Sequence, residues 1–233
     1  MDTARSLLVI WDIDLTLIHA GGFGHREVDT IISELGGSVP SGLTFAGRTD
    51  HAIWSEILDH NGLPGSLLPQ VLADYATACT HARWSGKFMP GAAESFQIAG
   101  TIAAAQTVVT GNTRTTGLLK LAHAGVPTTS QSTMHSHPGS IDISLAGFGD
   151  HAARRHDVLF SCLEAWRARG GTHAIAIGDT PHDIDAAHEH DIPVIAVAAG
   201  LYTADELAGA DHVLPDLTHT DQFESALRRT LMG

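Results

Sequence analysis

Positive charge is scarce in this sequence. Its 233 residues include 13 Lys and Arg against 26 Asp and Glu, so the formal net charge is -13 at pH 7. A surface of this sign repels polyanions, and we therefore expect neither nucleic acid nor an anionic membrane as a partner. If the ligand is itself an anion, a metal ion or a few local cations must reverse the field where it binds.

Long apolar runs and cysteines are also few. The longest apolar stretch, IPVIAVAAGL at residues 192–201, is about half as long as the ~20 residues that a membrane helix needs. The two cysteines, Cys79 and Cys162, lack the spacing of a metal site, and we expect both to be buried in a protein of a reducing compartment. These features predict a cytoplasmic protein.

Histidine, by contrast, is abundant, with 16 residues. The stretches MHSHP (134–138) and HEHD (188–191) raise the question of a zinc site. Neither stretch has the paired spacing with a carboxylate or thiolate that zinc sites usually show. We therefore expect no zinc site in either stretch.

Short apolar runs alternate with helical patterns through most of the chain. This alternation predicts an α/β fold whose core is a Rossmann-like parallel sheet between helices. Right-handed crossovers bring the carboxyl ends of such strands to one edge, where ligands bind. The predicted strands are residues 6–11, 106–110, 172–177, 193–199 and 211–215, and two of the predicted helices are residues 113–125 and 155–171.

Residues 21–85 interrupt this alternation. They contain no convincing strand but three helical patterns, at residues 25–37, 50–62 and 66–84. Glycines where the chain leaves the core, and SGKFMPG where it returns, predict two flexible crossings. We therefore predict a core of residues 1–20 and 86–233, and a helical cap of residues 21–85 that opens and closes over the strand ends.

Four polar motifs follow the predicted strands or begin the helices that face them. Because all of them fall at one edge of the sheet, we expect their side chains to converge. They are Asp12-x-Asp14 with Thr16, Thr110-Gly111-Asn112, the pair Arg154-Arg155, and GDTPHD with Asp179 and Asp183.

The chemistry of these motifs predicts a magnesium and phosphate site. Four carboxylates at one edge repel one another unless a cation lies among them. Oxygen ligands select a hard ion, and Mg²⁺ suits one or two carboxylates combined with a substrate phosphate. The Thr110 hydroxyl, the backbone N–H groups of Gly111 and Asn112 at a helix start, and the Arg155 guanidinium are suited to phosphoryl oxygens.

The order of the motifs, D-x-D-x-T, T-G-N, a basic residue and then G-D-x-x-x-D, resembles the haloacid dehalogenase-like (HAD) superfamily of hydrolases. Within it, the sequence is similar to the phosphoglycolate-phosphatase-like branch, which has a helical cap after the first motif. The resemblance extends over nearly the whole chain. It implies a Mg²⁺-dependent phosphatase that hydrolyses a small phosphorylated metabolite through an aspartyl phosphate.

The resemblance also implies roles for the acidic residues. Asp12 would be the nucleophile, and Asp14 would protonate the leaving oxygen and then act as the base for the hydrolytic water. The metal ligands would be the Asp12 carboxylate, the main-chain carbonyl of Asp14 and the Asp179 carboxylate. Asp183 would not bind the metal but would orient the groups around these ligands.

The same resemblance assigns the phosphate-binding residues. Thr110 and Arg155 would hold the phosphoryl oxygens, with Thr16, Gly111 and Asn112 beside them. In the cap, FAGRTD (45–50) places Arg48 where it could reach a second anionic or hydroxylated group of the substrate. We also expect the nearby aromatic side chains Phe23 and Phe45 to line the pocket.

Three positions depart from the pattern of the superfamily. Leu15 stands where glycine is usual, and Asp191 replaces a frequent glycine after a helix, where Asp tolerates the left-handed conformation. The third motif is commonly Lys, whereas here it is Arg154 or Arg155, and we favour Arg155. None of these departures removes a catalytic group.

Several alternatives remain open. A phosphomutase, a dehalogenase or a non-enzymatic phospho-Asp signalling domain would also place acidic residues on a parallel sheet, although Asp14 argues against a dehalogenase and the cap against a signalling domain. Asp179 and Asp183 could instead be helix N-cap residues, and Arg155 an exposed helix charge. The substrate is not fixed by the sequence, and the protein could be a monomer or a homodimer.

Overall fold

The structure of the protein is a computed structural model that describes residues 7–130 and 139–230. Ser6 of the first predicted strand and the MHSHP stretch (134–138) lie outside the described residues. The strands are β1 (Leu7–Trp11), β2 (Ile18–His19), β3 (Lys87–Phe88), β4 (Ala105–Val108), β5 (Thr128–Thr129), β6 (Ile141–Asp142), β7 (His173–Gly178), β8 (Val194–Val197) and β9 (His212–Leu214). The α-helices are α1 (His25–Glu34), α2 (Asp50–His60), α3 (Leu68–His81), α4 (Ala92–Ile102), α5 (Arg114–His123), α6 (Arg155–Ala168), α7 (Pro181–His188) and α8 (Thr220–Thr230).

Seven of these strands form one sheet in the order β5-β6-β4-β1-β7-β8-β9, and every adjacent pair is parallel. The predicted α/β fold with a Rossmann-like parallel sheet is therefore confirmed. The central strand β1 is buried along its whole length. Its alternate residues enter two different apolar clusters, with Val9 in one and Ile10 in the other. This burial on both sides explains why β1 is an uninterrupted apolar run.

The structure adds elements that the sequence did not predict. Strands β5 and β6 have two residues each, and helix α4 follows the return of the chain from the cap. A two-residue strand is too short to show an alternating pattern, so periodicity could not reveal it. The predicted strand 106–110 begins at Ala105 and ends at Val108, which leaves Thr110 beyond the strand end.

Each of the three helical patterns between residues 21 and 85 forms a helix, namely α1, α2 and α3. These helices share an apolar cluster of their own, in which Trp54 and Tyr75 meet edge to face at 5.9 Å. Cys79 lies in this cluster and Cys162 in the core, and both are buried, as predicted. No other strand is found between β2 and β3 in this fully described part of the chain.

The two crossings between cap and core are joined to each other. Strands β2 and β3 form a short antiparallel ribbon in which Ile18 pairs with Phe88 and His19 with Lys87. After the ribbon, the first crossing continues through Gly21 and Gly22, whose φ angles are 65° and 75°. Backbone of this kind favours glycine. The flexibility of the two crossings stays a prediction.

Within residues 7–130 and 139–230, no helix is both long enough and apolar enough to cross a membrane.

Candidate active site

Asp12 and Arg155 form a buried ion pair at the end of the central strand. Asp12 follows β1 directly, and its N–H donates to the carbonyl of Ile177 at 2.8 Å. Arg155, only 8% exposed, contacts the Asp12 carboxylate, lies 2.7 Å from Asp183 and donates to the carbonyl of Val109 at 3.0 Å. One guanidinium therefore faces two of the four predicted carboxylates.

Arg154 lies elsewhere. Its guanidinium pairs with Glu189 at 2.7 Å on the surface. Helix α6 explains the difference, because Arg155 lies in phase with the buried positions Val158, Leu159 and Cys162, whereas Arg154 precedes the helix. The structure thus places Arg155, and not Arg154, at Asp12.

Asp179 lies beside this pair. It follows β7, is buried, and accepts a hydrogen bond from the Thr16 hydroxyl at 3.2 Å. Burial raises the pKa of Asp12 and of Asp179, and the neighbouring carboxylates Asp12 and Asp183 raise that of Asp179 further. Two carboxyl groups that resist ionisation therefore lie side by side, which is the arrangement that a bound cation would relieve.

Asp183 acts in a helix cap as well as in the ion pair. The N-cap residue of α7 is Thr180, which corrects the alternative that Asp179 or Asp183 is the N-cap. Asp183 accepts hydrogen bonds from the Thr180 N–H at 3.1 Å and from its hydroxyl at 2.7 Å, which completes a capping box. Its other carboxylate oxygen faces Arg155. Asp183 therefore fixes Arg155 relative to the start of α7.

Asp14 is held by a residue that the sequence analysis missed. The Lys120 ammonium lies 2.7 and 2.6 Å from the two carboxylate oxygens of Asp14 and 2.7 Å from the Asn112 side-chain oxygen. Lys120 lies on the buried face of α5, next to Thr116 and Gly117. A lysine on the buried face of a helix is unusual. Lys120 follows Thr116 and Gly117 by four and three residues, so the helical period places it on their face and could have identified it in the sequence.

Thr110, Gly111 and Asn112 form a buried loop before α5. The Asn112 amide donates to Asp14 at 2.7 Å and to the Thr110 hydroxyl at 2.6 Å. The Asn112 backbone N–H also donates to the Thr110 hydroxyl, and the N-cap of α5 is Thr113 rather than a residue of the T-G-N motif. The loop is therefore bonded to Asp14, as the convergence of the motifs predicted.

Leu15, next to Asp14, has the left-handed φ of 61°. This conformation costs a non-glycine residue about 1 kcal/mol or more, and such strain often occurs at functional sites. Asp191 has a φ of 54°, as expected for a residue in place of glycine after a helix.

Above these residues lies a cavity of about 650 Å³ between core and cap. The predicted lining residues Phe23 and Phe45 are among those that face it. Core residues at its wall are Asp12, Asp14, Thr110, Asn112, Arg155 and Asp179.

Comparison with known proteins supports the same superfamily. Residues 146–220 match the family model described as HAD-hydrolase-like. The chain thus carries a HAD-like hydrolase domain. The recognition of the HAD superfamily from the sequence motifs is confirmed, whereas its phosphoglycolate-phosphatase-like branch stays a prediction. A search of curated proteins finds no match.

Solved structures share the fold of this chain over nearly its whole length. A predicted phosphatase from Clostridium acetobutylicum is 17% identical, with a TM-score of 0.67 over 96% of this chain and 99% of that one. A β-phosphoglucomutase from Clostridium difficile is 11% identical, with a TM-score of 0.65 over 98% and 99%. CbbY from Rhodobacter sphaeroides, solved in complex with phosphate, is 17% identical, with a TM-score of 0.64 over 92% and 95%.

The cap contacts the core beside the T-G-N loop. The Asp50 N–H donates to the Gly111 carbonyl at 2.7 Å, and the Asp50 carboxylate accepts from the Thr113 N–H at 2.7 Å. The Thr49 hydroxyl donates to the carbonyl of Ala153 at 3.0 Å. Burial raises the pKa of Asp50 to about 7. Sequence reasoning did not single out Thr49 or Asp50, because their partners lie far away in the chain.

Arg48 faces the cavity but already has an anionic partner. Its guanidinium lies 2.6 Å from Glu56 and donates to the Thr44 carbonyl at 3.2 Å. A role for Arg48 in binding a second anionic group of a substrate stays a prediction.

The donor groups fit a magnesium ion. Asp12 and Asp179 supply two buried oxygen ligands, and the main-chain carbonyl of Asp14 would supply a third. In the part of the chain that the structure describes, no three His, Cys, Asp or Glu side chains are grouped so that they could hold a metal. The expected ligand set has only two side chains, so it does not require such a group.

Proposed function

We propose that this HAD-like hydrolase is a Mg²⁺-dependent phosphatase that hydrolyses a small phosphate monoester through an aspartyl phosphate. The superfamily and fold support an enzyme of phosphatase type. The observation that carries the finer proposal is the buried Asp12 carboxylate, which lines the cavity between cap and core and pairs with Arg155.

In the first step, a carboxylate oxygen of Asp12 attacks phosphorus and the bond to the leaving oxygen breaks. Asp14, which lines the same cavity, must enter this step protonated, and it gives this proton to that leaving oxygen. We propose that the Thr110 hydroxyl and the Arg155 guanidinium bind the phosphoryl oxygens. Thr16 keeps Asp179 in place through its hydrogen bond.

In the second step, Asp14 removes a proton from water, which attacks phosphorus and breaks the bond to Asp12. Inorganic phosphate leaves and the Asp12 carboxylate is restored. When bound to Asp12, Asp179 and the Asp14 carbonyl, Mg²⁺ would supply positive charge that offsets the phosphoryl group and the clustered acids. Asp183 supports the site by fixing Arg155.

A phosphomutase is the second candidate, because a β-phosphoglucomutase shares the fold. In that reaction the phosphoryl group passes from Asp12 to a second hydroxyl instead of to water. A substrate with two phosphate groups would need a free cation at the cap end of the cavity, and Arg48 is occupied by Glu56. Arg48 would therefore have to exchange Glu56 for the second phosphate group of such a substrate.

The remaining expectations also stand as proposals. The substrate is a small phosphorylated metabolite. We propose neither nucleic acid nor a membrane as a partner, and the net charge of -13 supports this. We propose a cytoplasmic location and a monomeric or homodimeric state. The cavity of about 650 Å³ has room for a leaving group considerably larger than the phosphate itself.

A screen of phosphorylated metabolites for phosphate release tests the proposal, with Asp12→Asn as the matched blank. We expect release by the wild-type protein in Mg²⁺, and none in EDTA or with the variant. A folded Asp12→Asn protein that retains the full rate would contradict the role of Asp12. Isomerisation of a sugar phosphate without phosphate release would instead favour the phosphomutase.

A further inference from the structure

Lys120 is a buried cation that the proposed reaction does not yet use. Its side chain is 7% exposed, whereas the side chain of its partner Asp14 is 38% exposed. Both residues line the cavity between cap and core, and Lys120 is the more buried of the two. An ammonium in such a position is costly unless it is paired and fully hydrogen-bonded.

The contacts of Lys120 meet this requirement. The three donors of its ammonium have three acceptors within 2.7 Å, which are the two carboxylate oxygens of Asp14 and the side-chain oxygen of Asn112. The Asn112 amide donates in turn to Asp14 and to the Thr110 hydroxyl. These four residues form one network that connects Asp14 to the phosphate-binding loop.

We propose that Lys120 is a positioning residue that fixes the carboxyl group of Asp14 for proton transfer to the leaving oxygen. This inference rests on the proposed function, because it requires the acid role of Asp14. Lys120 and Asn112 hold both carboxylate oxygens, so Asp14 cannot rotate freely about its side-chain bonds. Misplacing a catalytic group by about 1 Å can cost ~100-fold in rate.

Substrates with different leaving groups provide the readout. An alkyl phosphate needs a proton on its leaving oxygen, whereas 4-nitrophenyl phosphate releases a stable anion that needs none. Loss of Asp14 positioning should therefore slow the first substrate more than the second. General acid catalysis contributes about 10² to 10⁴ in rate, so we expect Lys120→Met to lower kcat/KM for an alkyl phosphate about 10- to 100-fold.

The experiment measures kcat and KM for phenethyl phosphate and 4-nitrophenyl phosphate in Mg²⁺. For Lys120→Met we expect the loss in kcat/KM to be at least about 10-fold greater with phenethyl phosphate. This ratio reports the step in which the leaving oxygen departs, and not the hydrolysis of the aspartyl phosphate, in which Asp14 acts in the same way for both substrates. Arg114→Met is the matched control, since it removes an exposed cation from the first position of the same helix. It should leave both rates unchanged.

Each remaining outcome is decisive. Equal losses in kcat/KM with both substrates, or no loss, would overturn the positioning role. If Lys120→Met does not fold, Lys120→Gln, which keeps a hydrogen-bond donor, is tested by the same criteria. If neither variant folds, Lys120 serves stability alone and the proposal is overturned. If the wild-type protein releases phosphate from neither substrate nor any metabolite, the proposed function fails, which is a distinguishable result.

Discussion

Removing Arg155 should destabilise the protein far more than removing its neighbour Arg154. The Arg155 guanidinium lies between Asp12 and Asp183, and both carboxylates are as buried as the arginine itself. Arg155→Met would leave them without a cation in a buried site. Breaking a buried ion pair by removing one partner costs about 3 to 5 kcal/mol, and we expect a loss of that size in the free energy of unfolding.

Arg154→Met is the matched control. It removes the same chemical group one residue earlier, where the side chain is 61% exposed and pairs with the half-exposed Glu189. Exposed pairs of this kind contribute little to stability, because solvent screens them. Equilibrium unfolding in urea, in EDTA at pH 8, gives both values. Losses for the two variants that agree within about 1 kcal/mol would refute the reasoning, because it depends on the burial of one pair and the exposure of the other.

The pH dependence of this loss provides a second check. Burial raises the pKa of Asp12, so at pH 5 this carboxyl is largely protonated and needs no cation. The loss caused by Arg155→Met should therefore be smaller at pH 5 than at pH 8. A loss that does not change with pH would show that Arg155 stabilises the fold by packing rather than by charge.

Two further predictions concern the acids and the cap. The pKa values of Asp12, Asp179 and Asp50 are raised in the folded state, that of Asp50 from 3.8 to about 7. At pH values between the ordinary and the raised pKa of such a group, the folded state binds more protons than the unfolded state. Stability in EDTA should therefore fall as the pH rises from 5 to 8, and Mg²⁺ should reduce the fall; urea unfolding that shows stability rising over this range would contradict the burial of these groups. Gly111→Ala would place a Cβ 1.9 Å from a cap carbonyl, so kcat/KM should fall at least ~10-fold, while Gly65→Ala, which points into open space, should not change it. Steady-state kinetics of both variants checks this, and an unchanged Gly111→Ala enzyme would mean that the cap need not approach the loop during turnover.

The strand ends could be predicted from the sequence because each buried strand is an apolar run that stops at a polar residue. The ends of these apolar runs predicted that Asp12, Thr110 and Asp179 lie at one edge of the sheet. The helical period of α6 could also have predicted that Arg155 is buried and Arg154 is not, because Arg155 shares a face with the apolar residues of the helix. These features depend on local pattern and on the general geometry of parallel sheets.

The partners of Asp14 and of the cap could not be predicted in the same way. Lys120 is 106 residues from Asp14 in sequence, and Asp50 is 63 residues from Thr113. Which residues meet over such separations depends on how the cap and α5 pack against the sheet, and no local pattern encodes that. Strands β5 and β6 were missed because two residues carry no periodicity.

Trapping the covalent intermediate tests the central claim most directly. The protein is mixed with 4-nitrophenyl phosphate and Mg²⁺, quenched during turnover and reduced with borohydride, and its peptides are analysed by mass spectrometry. An aspartyl phosphate is reduced to homoserine, so we predict homoserine in place of Asp12 and unmodified Asp14, Asp179 and Asp183. Steady phosphate release with Asp12 unmodified at every time point would contradict the account.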